Sequence, residues 1–202
     1  MQWMQAIVDT QQRILDSARE LFYSRSYADV GVAAICEHAG VKKGSFYHYF
    51  PSKRELTLAV VDNYYADLKK HLIDKAFADD FPPLARLDRL AEIAYQFQKQ
   101  IMHDPGRVLG CLFGNLATEL STQDEVIRTK LQCVFAKLQT QIRHVLQDAQ
   151  HAGELRDLDV AATAHAMVAY FEGVMLLAKN QNDPEVIRTL LPSIAQIRIL
   201  QR

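Results

Sequence analysis

Gly40 separates two short helix-forming stretches, and the second of them is polar where a core helix would be apolar. Upstream, Val32 to Ala39 is helix-sized and buries Ile35 and Cys36; downstream, a new helix opens at Lys42 or Lys43. A glycine at such a junction can take the left-handed conformation that ends a helix and starts a turn. In front lies a longer stretch, Thr10 to Arg25, where Ile14, Leu15, Ala18, Leu21 and Phe22 recur at helical spacing, with Asp9 or Thr10 available as the cap. Helix, short helix, glycine turn and polar-faced helix is the order of a helix-turn-helix unit.

The polar-faced stretch, Val41 to Leu56, carries Lys42, Lys43, Ser45, Tyr47, His48, Tyr49 and Lys53 within a few turns. Polar side chains at the start of such a helix reach base edges in the major groove, while tyrosine hydroxyls and lysine ammonium groups bind phosphates and fix the docking register. Phe46 and Phe50, four residues apart, fall on the opposite side and are expected to be core. Charge agrees only locally. The 202 residues contain 23 Lys and Arg against 24 Asp and Glu, so any charge for DNA must be concentrated at Lys42, Lys43, Lys53 and Arg54.

With Gly40-Val41, Gly44-Ser45, Phe46-Tyr47-His48-Tyr49-Phe50 and Lys53 in that order, residues 10–56 resemble the N-terminal DNA-binding domain of the TetR family of bacterial transcriptional regulators. The resemblance implies that Lys42, Lys43, Gly44, Ser45, Tyr47 and His48 face the major groove and that Tyr47, Tyr49 and Lys53 hold phosphates. One departure stands out. Where the family often opens the second helix with threonine or serine, this chain has Gly31, Val32 and Ala33, which shifts recognition toward the third helix.

Length requires a second unit, because 202 residues exceed one helix-turn-helix module about threefold. The reading is an all-α chain of about nine helices: a DNA-binding domain over 1–55 and a helical effector-sensing and dimerisation domain over 56–202. A helix from Ser52 to about Ala76 links them and is the expected lever between signal and DNA. Further helices are expected over 84–103, from Gly110 or Cys111 to Leu120, then to His151 with Ser121 or Thr122 as its cap, and over 158–179. Pro184 opens a last helix that carries Val186 to Ile197. Asp104-Pro105-Gly106 and Gly153 are the expected breaks.

The 158–179 stretch is apolar around nearly its whole circumference, and the last helix has a wide apolar face. Met167, Tyr170, Phe171, Val174, Leu177, Leu190 and Ile194 are therefore the candidates for a homodimer interface, with Gly173 allowing close approach. A two-fold dimer is also what the family resemblance implies, since two recognition helices must reach two half-sites of near-palindromic operator DNA. Met1 to Ala6 lacks a signal-peptide pattern, and His165 and Glu172 interrupt the most apolar helix. A cytoplasmic protein without a membrane span, with its three cysteines reduced, is the expectation.

Cys111 is the leading candidate for the sensor. It follows the 104–106 break near a helix start, where unpaired amides and the helix dipole favour a thiolate. Cys36 lies in an apolar stripe, and Cys133 is in mid-helix. The Gly110-Cys111-Leu112 context resembles the subgroup of the family that includes the N-ethylmaleimide reductase repressor, which implies that Cys111 senses electrophiles or oxidants and that Lys179 assists. The alternative is a reversible small ligand, held by Asn115 and Glu119 or in a pocket drawn from Tyr64, Tyr95, Phe97, His103, Phe113, Asn115, Tyr170 and Phe171. Either signal would favour a conformation whose recognition helices no longer match the operator; that this relieves repression is what the family resemblance implies, and the residues leave activation open. A reading from another class makes the chain a thiol-dependent enzyme with Cys111 as nucleophile and His103 or Lys179 as partner. No motif places such a base within reach of the thiol. No cofactor is implied, and the isolated cysteines do not have zinc spacing.

Overall fold

A computed structural model describes the backbone of residues 2–102 and 106–201, with side chains from Thr10 onward. The candidate pocket residue His103, the Asp104-Pro105 break and the side chain of Asp9 lie outside the described residues. Among those described, the fold is all-α, with nine helices and a single isolated β-bridge between Leu158 and Leu200.

The helices are α1 (Gln2–Ser24), α2 (Val32–Ala39), α3 (Lys43–Tyr49) and α4 (Lys53–Leu68), which continues through a π turn (Lys69–Ile73) into Asp74–Ala76. They are followed by α5 (Pro83–Met102), α6 (Leu112–Leu120), α7 (Glu125–His151), α8 (Val160–Gln181) and α9 (Glu185–Leu190), which ends in a 3-10 turn (Leu191–Gln196). Two compact units result: residues 1–67 with 112–131, and residues 68–111 with 132–202.

In the first unit, α1 packs against α2, α3 and α6. Ile14, Ala18, Phe22, Ile35, Phe46, Leu56 and Val60 form its core, as helical periodicity predicts. The unit reaches past Glu55 because Tyr64 on α4 is buried between Tyr23, at 5.9 Å between ring centroids, and Phe113 of α6, at 5.1 Å. Aromatic side chains meeting edge to face contribute both area and a favourable quadrupole alignment.

In the second unit, α5, α8, α9 and the 3-10 turn enclose Leu87, Ala94, Met167, Ile187, Leu191 and Ile194. The buried Arg86 bridges the carbonyl of Phe81 at 2.9 Å and the half-exposed carboxylate of Asp148 at 2.8 Å, so its charge is paired at the edge of the unit. The chain after α9 folds back beside the start of α8, where Asp159 donates its amide to Ile199 at 2.8 Å.

Three expected boundaries are corrected. The first helix starts at Gln2 rather than at Asp9 or Thr10, because nothing before position 10 is a glycine or proline that would stop it. The cap of α7 is Asp124, whose Oδ1 accepts the amides of Val126 at 3.1 Å and Ile127 at 3.2 Å, and not Ser121 or Thr122. A carboxylate there also complements the positive helix end. The last helix stops at Leu190, since Pro192 lacks the amide an α-helix needs and only the tighter 3-10 turn continues.

Candidate functional site

The turn that presents α3 is built from three residues. Gly40 closes α2 at φ 64°, in the left-handed region, and its amide and that of Val41 return to Glu37 and Cys36 carbonyls at 3.1 and 2.9 Å. The Arg13 guanidinium of α1 donates to the carbonyls of Ala39 and Gly40. A Cβ added at Gly40 would lie 2.9 Å from Arg13 Nη2, a side-chain end that would have to shift, and the positive φ strains most other residues there.

From that turn α3 projects Lys42, Lys43, Gly44, Tyr47 and His48 into solvent, with Tyr47 54% exposed, while Phe46 and Phe50 anchor the helix in the core. Ser45 and Tyr49 are half-buried. No acid lies in the first turn of α3, so the two lysines set its field. Gly31 caps α2 in extended conformation without a side-chain bond, as its residue type predicts.

Lys53 is placed differently from its expected phosphate role. Its ammonium donates to the carbonyl of Tyr27 and lies 3.6 Å from the centroid of the Tyr27 ring. Burial pushes its pKa down, against the raising pull of Glu119. Arg54, although exposed, is held 2.6 Å from Asp124. The exposed cationic face is therefore that of Lys42 and Lys43.

The candidate thiol lies in the second unit. Cys111 immediately precedes α6, at the end of a loop fastened to α5 and α8. Val108 donates its amide to Asn182 Oδ1 at 2.9 Å, and Gln98 donates Nε2 to the Gly110 carbonyl at 2.7 Å. Gly110 takes φ 74°, and a Cβ there would stand 3.3 Å from Lys179 Cδ and 3.4 Å from the Met175 carbonyl. The left-handed φ together with these tight approaches to α8 favours glycine at this position. Cys111 itself is half-buried and donates its thiol to the carboxyl of Glu172 on α8. Burial pushes the Glu172 carboxyl up, and the Cys111 hydrogen bond only partly offsets that. Partial burial lowers Lys179.

The other candidate sensing residues divide between the units. Phe113 and Asn115 belong to the first, with Phe113 fully buried beside Tyr64. Tyr95 and Tyr170 belong to the second, where Tyr95 donates to Glu185 and Tyr170 to the Leu190 carbonyl at 2.6 Å.

Comparison with known proteins gives the family. Residues 14–60 match the model of bacterial regulatory proteins of the tetR family, and residues 83–194 match the tetracyclin repressor-like C-terminal domain. The chain belongs to the TetR family of transcriptional regulators. It is 34% identical over 183 residues to an uncharacterised HTH-type transcriptional regulator in the lacX 3' region of Lactococcus lactis, covering 90% of this chain and 89% of that one. It is also 34% identical to the transcriptional regulator AcuR of Cereibacter sphaeroides, covering 88% and 80%. The crystal structure of regulatory protein TetR from Rhodobacter sphaeroides superposes with a TM-score of 0.82 at 32% identity, covering 93% of this chain and 98% of that one. The repressor NemR of Escherichia coli is similar at 28% identity over 61% of this chain. A TetR-family chain is a regulator, and the thiol-enzyme alternative is set aside.

Within this TetR-family chain, α8 divides its apolar residues between two faces. Met167 and Val174, together with Ile194 from the 3-10 turn, are buried in their own unit, which corrects their assignment to an interface with a partner. The outward face carries Ala169, Gly173, Leu176 and Leu177, with Leu176 65% exposed, and Leu190 is exposed as well. Tyr170 and Phe171 are half-buried. By length and composition alone α8 could cross a membrane, but its inner face packs against α9 and the 3-10 turn.

Two carboxylates have partners that the sequence did not reveal. Glu172 faces Cys111, and Glu119 of α6 accepts the amides of Tyr27 and Ala28 in the loop before α2. Neither forms a motif with its neighbours, since Glu119 lies about ninety residues from the loop it holds.

Proposed function

We propose that the chain is a repressor that binds a near-palindromic operator as a homodimer, in the cytoplasm, and releases it on a chemical signal. Residues 1–55 carry the DNA-binding function, and 56–202 carry sensing and dimerisation. The observation that carries the reading is the exposed set Lys42, Lys43, Gly44, Tyr47 and His48 on α3, presented by a turn whose left-handed Gly40 closes α2. Ser45 and Tyr49 flank it. Lysines and a tyrosine hydroxyl at the surface of a short helix can meet phosphates, while the small Gly44 allows close approach to the groove.

The partner surface is the outward face of α8, where Gly173, Leu176 and Leu177 meet their own copies, with Leu190, Tyr170 and Phe171 beside them. Exposed leucines on one helix face are covered at least cost by a second copy, because a two-fold axis repeats the same complementary patch. The effector is a small molecule or electrophile received at Cys111, with Lys179 assisting. The half-buried thiol on a fastened loop, against a buried carboxyl, supports that choice.

The test is operator binding by the wild type and Cys111→Ser, with and without a mild electrophile or hypochlorite, on the gene's own upstream DNA. Loss of binding only in the treated wild type is expected. Binding by both proteins regardless of treatment keeps the regulator and moves the signal to a reversible ligand. Absence of binding by either protein overturns the reading.

A further inference from the structure

Asp124 meets two demands at once in the first unit. Its Oδ1 accepts the amides of Val126 and Ile127 and so caps α7, while its Oδ2 accepts Arg54 Nε at 2.6 Å from the first turn of α4. Capping alone does not require a charge, since asparagine and serine cap helix starts about as well as aspartate. What the charge adds is a hold on Arg54.

Arg54 is a phosphate ligand by position and by type. It is the second residue of α4, five residues after Tyr49 closes α3, and its planar fork of donors fits phosphate as well as carboxylate. The pair is asymmetric, because the Arg54 side chain is 53% exposed and that of Asp124 only 14%. The arginine is thus the partner able to swing outward, and the carboxylate keeps its two amides when it does. An ion pair this open to water contributes little to folding, so exchanging one anion for another disturbs the fold little. Lys53, the neighbouring cation, has no such choice, because its ammonium is turned onto the Tyr27 carbonyl and ring.

We propose that Asp124 competes with DNA phosphate for Arg54, so that this carboxylate withholds one phosphate contact and lowers affinity for every DNA sequence. The inference rests on α3 as the recognition helix. Phosphate contacts supply nearly all of non-specific binding and carry no sequence information, so the acid at the α6–α7 corner acts as a brake on non-specific binding and leaves discrimination to the base contacts of α3. The Arg54 contact forms only when the Asp124 pair opens.

The test is binding to a duplex from the gene's own upstream DNA and to a duplex of scrambled sequence, read by fluorescence anisotropy over a series of salt concentrations. The proteins are the wild type, Asp124→Asn, Arg54→Ala and the double variant. Asp124→Asn keeps the cap without the charge and is expected to bind both duplexes about threefold or more tightly, with the slope of log affinity against log salt steepened by about 1 for each chain bound. In the Arg54→Ala background the same substitution should change affinity by less than about twofold and leave the slope alone, because the coupling runs through that side chain. Glu125→Gln removes the adjacent charge, which is paired with Arg128, and should also stay within about twofold. Unchanged affinity and slope in Asp124→Asn, a gain that persists without Arg54, or an equal gain in Glu125→Gln overturns the proposal, the last two because the charge would then act on DNA at a distance. If Asp124→Asn melts well below the wild type, Asp124→Ser, which also caps without a charge, carries the same comparison. Wild-type protein that binds neither duplex overturns the underlying reading of α3, whereas binding that Lys43→Ala weakens and Asp124→Asn leaves unchanged keeps that reading and removes only the competition.

Discussion

Glu119 receives the backbone amide of Tyr27 on Oε2 at 2.8 Å, and its other oxygen receives the amide of Ala28 at 2.7 Å. One carboxylate on α6 thus satisfies two consecutive amides in the loop that leads into the helix-turn-helix. Lys53 completes the clasp from α4 through the Tyr27 carbonyl and ring. Removing the carboxylate in Glu119→Ala strips both amides of their partner. A loss of about 1–3 kcal/mol is expected, a fall of several degrees in Tm, with weaker operator binding. Thermal unfolding and a DNA titration of the same variant check this, and an unchanged Tm would count against the clasp.

The two lysine positions are expected to separate in their salt dependence. Lys43→Ala should weaken binding to all sequences and reduce the slope of log affinity against log salt by about 1, because an exposed phosphate contact is lost. Lys53→Ala should leave that slope alone and lower Tm instead, since its ammonium is spent on Tyr27. Titrations at several salt concentrations distinguish them.

Tyr47 is 54% exposed and meets the buried Phe46 ring edge-on, at 5.2 Å between centroids. Tyr47→Ala should change stability by less than about 0.5 kcal/mol. Operator affinity should fall about tenfold while sedimentation still shows a dimer. Full affinity would remove α3 from the recognition role.

Leu177 is exposed on the outward face of α8, whereas Met167 is fully buried. Leu177→Glu is therefore expected to give a folded monomer that does not hold its operator, because a charge is brought to the centre of a two-fold contact. Met167→Ala should instead cost about 2–5 kcal/mol of stability, the range for emptying a core position. Sedimentation together with thermal unfolding tells the two effects apart.

Glu172 carries a pH signature with a definite sign. Burial raises its folded pKa above the ordinary 4.5, so the folded state binds more protons than the unfolded state between those two values. The contribution of this group to stability is fully present below 4.5 and is lost as pH rises through the folded pKa. Glu172→Gln does not titrate. Its Tm should therefore rise relative to wild type as pH increases from about 4.5 upward, and a pH series of melting curves measures the difference.

Much of the helix framework was legible because its causes are local. Apolar spacing placed α1, α2, α5 and α7, and Gly40 marked a turn that in fact has positive φ. The exposed face of α3 followed from the same logic, since Phe46 and Phe50 fix which side is buried and so which side carries Lys42, Lys43, Tyr47 and His48. The end of α9 at Leu190 was also written locally, in Pro192, but the apolar run to Ile197 masked it. The π turn at Lys69–Ile73 contains no glycine or proline, and the structure offers no local cause for it.

Sequence by itself determined the all-α class, the helix-turn-helix and the polarity of its recognition helix, because periodicity, turn chemistry and side-chain type act over a few residues. Tertiary structure alone decided that Lys53 points inward, that Met167 and Ile194 belong to the core and that Glu172 meets Cys111. Those outcomes depend on pairs lying tens of residues apart in the chain. A charged or apolar side chain carries no local mark of which of its surfaces a distant helix will cover.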